Sequence, residues 1–192
     1  LLPIIVSNYL LFIIYIIFNA VIIYEIKLMN IEDKKNVLLI IYKVLIIFVF
    51  FTFITINITS AMTSIELIEI IMIIWLFDTF SFIGGKIIGG KKLMPSISSG
   101  KTQSGLLFGI TATLSSSYFY LVTVNSFSLK YLLFICIVIL FAFLGDVIAS
   151  IAKRLSSIKE SGSIMPGHGG LLDRLDSFLG VFFFIGIFKF LS

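Results

Sequence analysis

Polar residues interrupt this chain only at long intervals. Apolar runs occupy about 2–24, 37–57, 65–84, 105–124, 129–149 and 172–191, and a helix needs about 20 such residues to cross a bilayer. The pattern predicts an all-α polytopic membrane protein of about six transmembrane helices, with polar connections at 25–36, 85–104 and 150–171. Residues 1–64 read as N-terminal membrane helices. Residues 65–192 read as a second region, with motif loops at 84–105 and 145–177.

Composition agrees and narrows the class. Of 192 residues, 59% are hydrophobic and 12% charged, against about 25% charged in an average soluble domain, which excludes a soluble globular fold. The single cysteine, Cys136, lies within an apolar run, so neither a disulfide framework nor a cysteine metal site is available. Leu1 opens directly on an apolar run with no basic region ahead of it and no small-residue cleavage site behind it, so no signal peptide is expected. The missing initiator Met makes a longer parent chain the expectation.

The net charge of +4 is modest, but its placement orders the helices. Lys27, Lys34 and Lys35 fall in one loop, Lys86, Lys91, Lys92 and Lys101 in the next but one, and Lys153, Arg154 and Lys159 in the next but one after that, with Arg174 at the entry to the last helix. Positive loops stay cytoplasmic, and here they occupy every second connection. Both motif loops are therefore expected on the cytoplasmic side, with Leu1 outside. Lys43 and Lys189 are near enough to helix ends to snorkel.

Chemistry is unevenly spread. Asn8 and Asn19 suit interhelical hydrogen bonds, and Thr111, Thr113 and Ser115 to Ser117 suit close helix packing. Acidic groups in a membrane helix cost roughly 2.5–3.5 kcal/mol at its centre, so they face partners or cavities. Glu66 and Glu69, one turn apart near the outer end of the third run, are read as structural. Asp78 precedes Gly84 and Gly85, where the helix is expected to break, and is open to either a structural or a site role.

The loop from Gly84 to Gly105 interleaves glycines, lysines and hydroxyls, the chemistry that turns backbone N–H groups and cations toward phosphate. Gly100-Lys101-Thr102 is not a P-loop, because Pro95 stands where that motif needs glycine and no strand is expected before it. Farther on, Asp146, Ser150 and Lys153 or Arg154 recur at helical spacing and share a face. Asp173 and Asp176 can pair with Arg174 or cap the last helix. His168, between two glycines, can donate to a phosphate or brace its loop.

The residues from Gly145 to Ser177 resemble the C-terminal signature of the bacterial phosphatidate cytidylyltransferases, also called CDP-diglyceride synthases. The match runs through Ser150, Lys153-Arg154, Lys159-Glu160, Pro166-Gly167-His168-Gly169-Gly170 and Asp173-Arg174-Leu175-Asp176. Asp78, the paired glycines and Leu93, Pro95, Ile97, Ser98, Lys101 and Thr102 resemble a second motif region of that family. Ser99, Gln103, Ala149 and Glu160 depart from its usual Pro, Glu, Glu and Asp. Family members are usually longer at the N-terminus, so a short or truncated member is expected.

The resemblance implies transfer of CMP from CTP to phosphatidate, giving CDP-diacylglycerol and pyrophosphate at a bacterial cytoplasmic membrane. Asp146 and Asp173 are then the catalytic pair and hold Mg²⁺ or another divalent cation, which takes one or two carboxylates together with substrate oxygens. Ser98, Lys101, Thr102, Ser150, Lys153, Arg154, Lys159, His168 and Arg174 become substrate-binding candidates, with Asp78 and Asp176 behind them. The implied partners are CTP, phosphatidate and membrane lipids, with room for a homo-oligomer and none for nucleic acid. A transferase acting on another lipid phosphate, an ion or solute transporter and an inactive remnant are the competing readings. Transporters place their ionisable groups near the bilayer midplane, whereas those of this chain gather at one face.

Overall fold

The apolar runs fold as helices, and the connections between them carry the exceptions. The structure is a computed structural model that describes residues 17, 20–27, 37–58, 64–123, 128–162 and 169–191. A short helical segment α1 (20–27) is followed by α2 (Val37–Ile58) and α3 (Ser64–Ile87). Strands β1 (Lys92–Met94) and β2 (Ser98–Thr102) pair antiparallel, and α4 (Gln103–Thr123), α5 (Leu129–Leu155) and α6 (Leu172–Leu191) complete the chain. The protein is an all-α membrane protein with one small hairpin.

Among the described residues, three helices are long and apolar enough to cross a membrane: Glu66–Ile87, Gln103–Thr123 and Leu129–Leu155. A shorter apolar stretch covers Val37–Phe50 in α2. The predicted first run at about 2–24 lies mostly outside the described residues, as do Asn8 and Asn19.

Each helix turns one apolar stripe inward. Ile70, Ile73, Ile74 and Phe77 of α3 meet Ile135, Val138, Ile139 and Ala142 of α5 and Leu172, Val181 and Ile185 of α6 in one buried cluster. Met72, Trp75 and Phe119 remain exposed, as a lipid-facing surface requires. Lipid tails are as apolar as leucine, so close packing and polar contacts hold such helices together. Two glycine contacts do this here. A Cβ on Gly145 would lie 2.6 Å from both the Asp176 carbonyl oxygen and the Gly180 nitrogen, which seats α5 directly on α6. A Cβ on Gly105 would lie 2.6 Å from the Ser81 carbonyl oxygen and 2.9 Å from Gly85 Cα, which does the same for α3 and α4. Near the other end, Tyr131 donates its hydroxyl to Glu69 and ties α5 to α3.

The expected boundaries shift in two places. Gly84 and Gly85 do not break α3, which runs to Ile87 with Ile88 N–H bonded to the Gly84 carbonyl at 3.0 Å. Those glycines serve close helix approach, and the turn falls instead at Gly89 and Gly90, where φ is +67° and +103°. Helix α5 continues past residue 149 to Leu155. It ends in a Schellman arrangement: Ser157 has φ of 56°, its N–H reaches the Arg154 carbonyl at 3.0 Å, and Ile158 N–H reaches the Lys153 carbonyl at 3.0 Å. Lys153 and Arg154 therefore project from a helix, in its last turn, where basic charge complements the helix dipole.

Candidate active site

The hairpin, the C-terminal end of α5 and the N-terminal end of α6 meet at one end of the bundle. Arg154 anchors the hairpin by donating Nε–H to the Ile97 carbonyl at 2.9 Å. Thr102 fixes where the hairpin turns into α4. Its buried hydroxyl accepts the Gly105 N–H at 3.0 Å, an N-cap bond that satisfies one orphan donor of the first turn. Ser104 closes the same corner by donating to the Gly89 carbonyl. Thr102 and the adjacent Lys101 both line a cavity.

That cavity has a volume of about 530 Å³, within the range of small-molecule sites. Asp78, Asp146, Asp173 and Asp176 line it together with Lys86, Lys92 and Lys101. Phe77, Phe82 and Phe143 contribute apolar wall. Lys101 pairs with Asp146 and lies over the Phe143 ring, 5.1 Å from its centroid. Across the cavity, Lys153 Nζ bonds Asp173 Oδ1 at 2.7 Å and stands 3.6 Å from Asp176 Oδ2. Ser177, one residue on, hydrogen-bonds Asp78 through its side chain. The Gly145–Gly180 contact sets this arrangement, because it brings the α5 turn bearing Asp146 against the α6 turn bearing Asp176.

The carboxylates differ in what they have left to offer. Asp173 Oδ2 accepts three donors: the Ser161 N–H at 2.8 Å, the Ser161 hydroxyl at 3.0 Å and the Gly170 N–H at 2.9 Å. A carboxylate oxygen has about two lone-pair sites, so Asp173 retains free capacity only on Oδ1. Asp176 Oδ1 accepts the Ser177 N–H at 2.9 Å, and Asp146 Oδ1 has the Ser150 hydroxyl at 3.4 Å. Both are open to a further ligand.

Thr102 also lines the cavity, and the other described candidates from the sequence fall outside its wall. Ser98 sits in β2 opposite Met94. Ser150 stands behind Asp146, and Arg154 braces the hairpin. Lys159 and Arg174 are exposed. His168 lies outside the described residues. Ala149 is buried at 1% exposure and packs in the core. Two residues escaped the sequence reading altogether. Glu25 and Ser161 are buried behind Asp173, and their connection spans 136 positions, a separation that no local pattern reveals. The one available signal was an acidic residue at the very end of an apolar run.

Fold and cavity together define a helical membrane protein with a polar cavity lined by both carboxylates and lysines at one end of its bundle. The chain belongs to the cytidylyltransferase family, whose family model matches residues 2–191. It is 45% identical over 125 residues to the phosphatidate cytidylyltransferase of Rickettsia typhi, covering 59% of this chain and 55% of that protein. Against the phosphatidate cytidylyltransferase of Bacillus subtilis it is 42% identical over 113 residues, covering 58% of this chain and 42% of that one. The enzyme of that name from Staphylococcus saprophyticus is 42% identical over 109 residues, covering 56% and 42%. The chain thus spans about half the length of the curated relatives it matches.

Proposed function

We propose that this chain transfers CMP from CTP to phosphatidate, forming CDP-diacylglycerol and releasing pyrophosphate, as the names of its relatives suggest. The observation that carries the reading is the convergence of four carboxylates and three lysines on one cavity. A phosphate nucleophile and a triphosphate repel each other, and cations placed beforehand around their meeting point are the remedy.

In the proposed reaction a phosphatidate phosphate oxygen bonds to the α-phosphorus of CTP, and the bond from that phosphorus to the pyrophosphate oxygen breaks. Lys101, Lys86 and Lys92 bind and orient the triphosphate. Lys153 holds Asp173 and Asp176 in register. The aromatic wall of Phe77, Phe82 and Phe143 keeps bulk water from the reacting phosphorus. Among the described residues no group of three or more His, Cys, Asp or Glu is placed to hold a metal ion, so a divalent cation, Mg²⁺ in our reading, would rest on one or two of Asp146, Asp173 and Asp176 and take its other ligands from substrate and water. Bound there, it would neutralise the triphosphate and align it for in-line displacement. The alternation of basic loops supports a cytoplasmic cavity, with phosphatidate arriving from the surrounding leaflet.

The direct test supplies the purified protein in detergent micelles with CTP, Mg²⁺ and phosphatidate and reads the lipid product by mass spectrometry. CDP-diacylglycerol is the expected product. A folded protein that leaves phosphatidate unreacted, or reacts only with a different lipid phosphate, contradicts the reading.

A further inference from the structure

Glu25 lies in the last turn of the N-terminal helical segment α1, and its side chain is wholly buried at 0% exposure. Its carboxylate meets the first turn of α6: Oε1 accepts the Leu171 N–H at 2.7 Å, and Oε2 accepts the Leu172 N–H at 2.8 Å. These are orphan donors of a helix N-terminus, where negative charge is favoured. The protein leaves room for nothing else there. A Cβ on Gly170 would lie 2.6 Å from Glu25 Oε2, and one on Gly162 would lie 3.2 Å from Oε1.

The connection continues into the cavity. The buried Ser161 hydroxyl stands 3.1 Å from Glu25 Oε2 and 3.0 Å from Asp173 Oδ2. A hydroxyl has one proton to donate, so the two carboxylates share it. Asp173 then presents Oδ1 to Lys153 at the cavity wall. The buried Tyr42 of α2 lies within electrostatic reach of Asp176, Asp173 and Glu25, and its hydroxyl has no hydrogen-bond partner among the described residues. A helix remote in sequence from every motif thus supplies the support under the central carboxylate.

We infer that Glu25 is a positioning residue for the transfer centre, fastening the N-terminus of α6 and, through Ser161, setting the orientation of Asp173 toward Lys153. The inference rests on reading the cavity as that centre. Replacement of such a supporting group typically lowers activity or metal affinity about 10- to 100-fold.

The test compares Glu25→Gln, Ser161→Ala and the double variant in detergent micelles, by amide hydrogen exchange and by steady-state kinetics with CTP and phosphatidate. Glutamine keeps the volume but turns an N–H₂ group against an N–H donor. Glu25→Gln is expected to speed exchange at residues 170–173 while leaving α3 and α4 unchanged. It is also expected to lower kcat about 10- to 100-fold, with KM for CTP little moved. Ser161→Ala should lower kcat in the same way, and the double variant should lose no more than the worse single one. Unchanged exchange at 170–173 in Glu25→Gln overturns the inference. Faster exchange with an unchanged kcat also overturns it, since Glu25 would then be a structural clamp alone. Should Glu25→Gln not fold, an unchanged kcat in Ser161→Ala overturns the inference and a lowered one supports it. If the unaltered protein makes no CDP-diacylglycerol, the proposed function fails, while the exchange arm still decides whether Glu25 holds α6.

Discussion

Lys101 of the hairpin and Asp146 of α5 form an ion pair inside the cavity, with the lysine nitrogen shut off from solvent and resting over Phe143. The pair joins the two motif loops, which lie far apart in the sequence. It also sets a cation against a carboxylate in a confined place, where either one alone would be costly.

If Lys101 carries phosphate, Lys101→Ala should act on the nucleotide. A charge-assisted hydrogen bond is worth about 1.5–3 kcal/mol, and about 1.4 kcal/mol corresponds to tenfold. We expect KM for CTP to rise about 10- to 100-fold while KM for phosphatidate stays near its original value. Steady-state kinetics with each substrate varied in turn checks this. A change confined to phosphatidate would assign the hairpin to the lipid.

Thr102 should behave differently from its neighbour. Its hydroxyl caps α4, so Thr102→Ala should lower stability by about 1 kcal/mol and leave KM for CTP unaltered, and Thr102→Ser should restore stability. Thermal unfolding followed by circular dichroism, alongside the kinetics, separates a cap from a substrate contact.

Gly145→Ala should be more harmful than Gly100→Ala. A new Cβ at 145 meets backbone of α6, whereas nothing lies within 4 Å of one at 100. Forced overpacking costs typically about 1–3 kcal/mol, and here it also separates Asp146 from Asp176. Unfolding midpoints measured in one detergent check the order. Equal midpoints would remove the α5–α6 contact from the account.

Transfer should proceed by direct displacement. The second pKa of a phosphate monoester is about 6, so phosphatidate is largely a dianion at neutral pH and needs no general base. The hydroxyls of Ser150, Ser161 and Ser177 are engaged with the carboxylates of Asp146, Asp173 and Asp78, and in direct displacement they serve to hold those carboxylates in place. Labelled pyrophosphate should therefore not exchange into CTP without phosphatidate, and His168→Gln should retain more activity than Asp173→Asn. Robust lipid-independent exchange would point to a cytidylyl-enzyme intermediate.

The helices were legible because long apolar runs fold as helices: α2, α3, α4 and α6 lie within a few residues of their expected ranges, while α5 runs on to Leu155. The central carboxylates were legible because charge in such a chain is rare: Asp78, Asp146, Asp173 and Asp176 were all singled out, and all four line one cavity. Sequence pattern could not say how each is occupied. It did not show that Thr102, besides lining the cavity, caps α4, nor did it separate glycines that break a helix from glycines that let two helices touch. The hairpin was also hidden, since three- and five-residue strands rich in Ser, Gly and Lys carry no alternation. Glu25 was read with the loop after it, because its partners belong to the far end of the chain.

The central claim is that this cavity is where CMP changes hands, and one comparison tests it most directly. Transfer of label from α-³²P-CTP into lipid is measured for the unaltered protein, Asp146→Asn, Asp176→Asn and Lys159→Ala at equal amounts of folded protein. Asp146 and Asp176 line the cavity, while Lys159 is exposed outside it. The account predicts losses of at least about 100-fold for the two aspartate variants, the scale on which preorganised charge acts in catalysis, and nearly full transfer for Lys159→Ala. Near-normal transfer by both aspartate variants would contradict it and place the chemistry elsewhere in the chain.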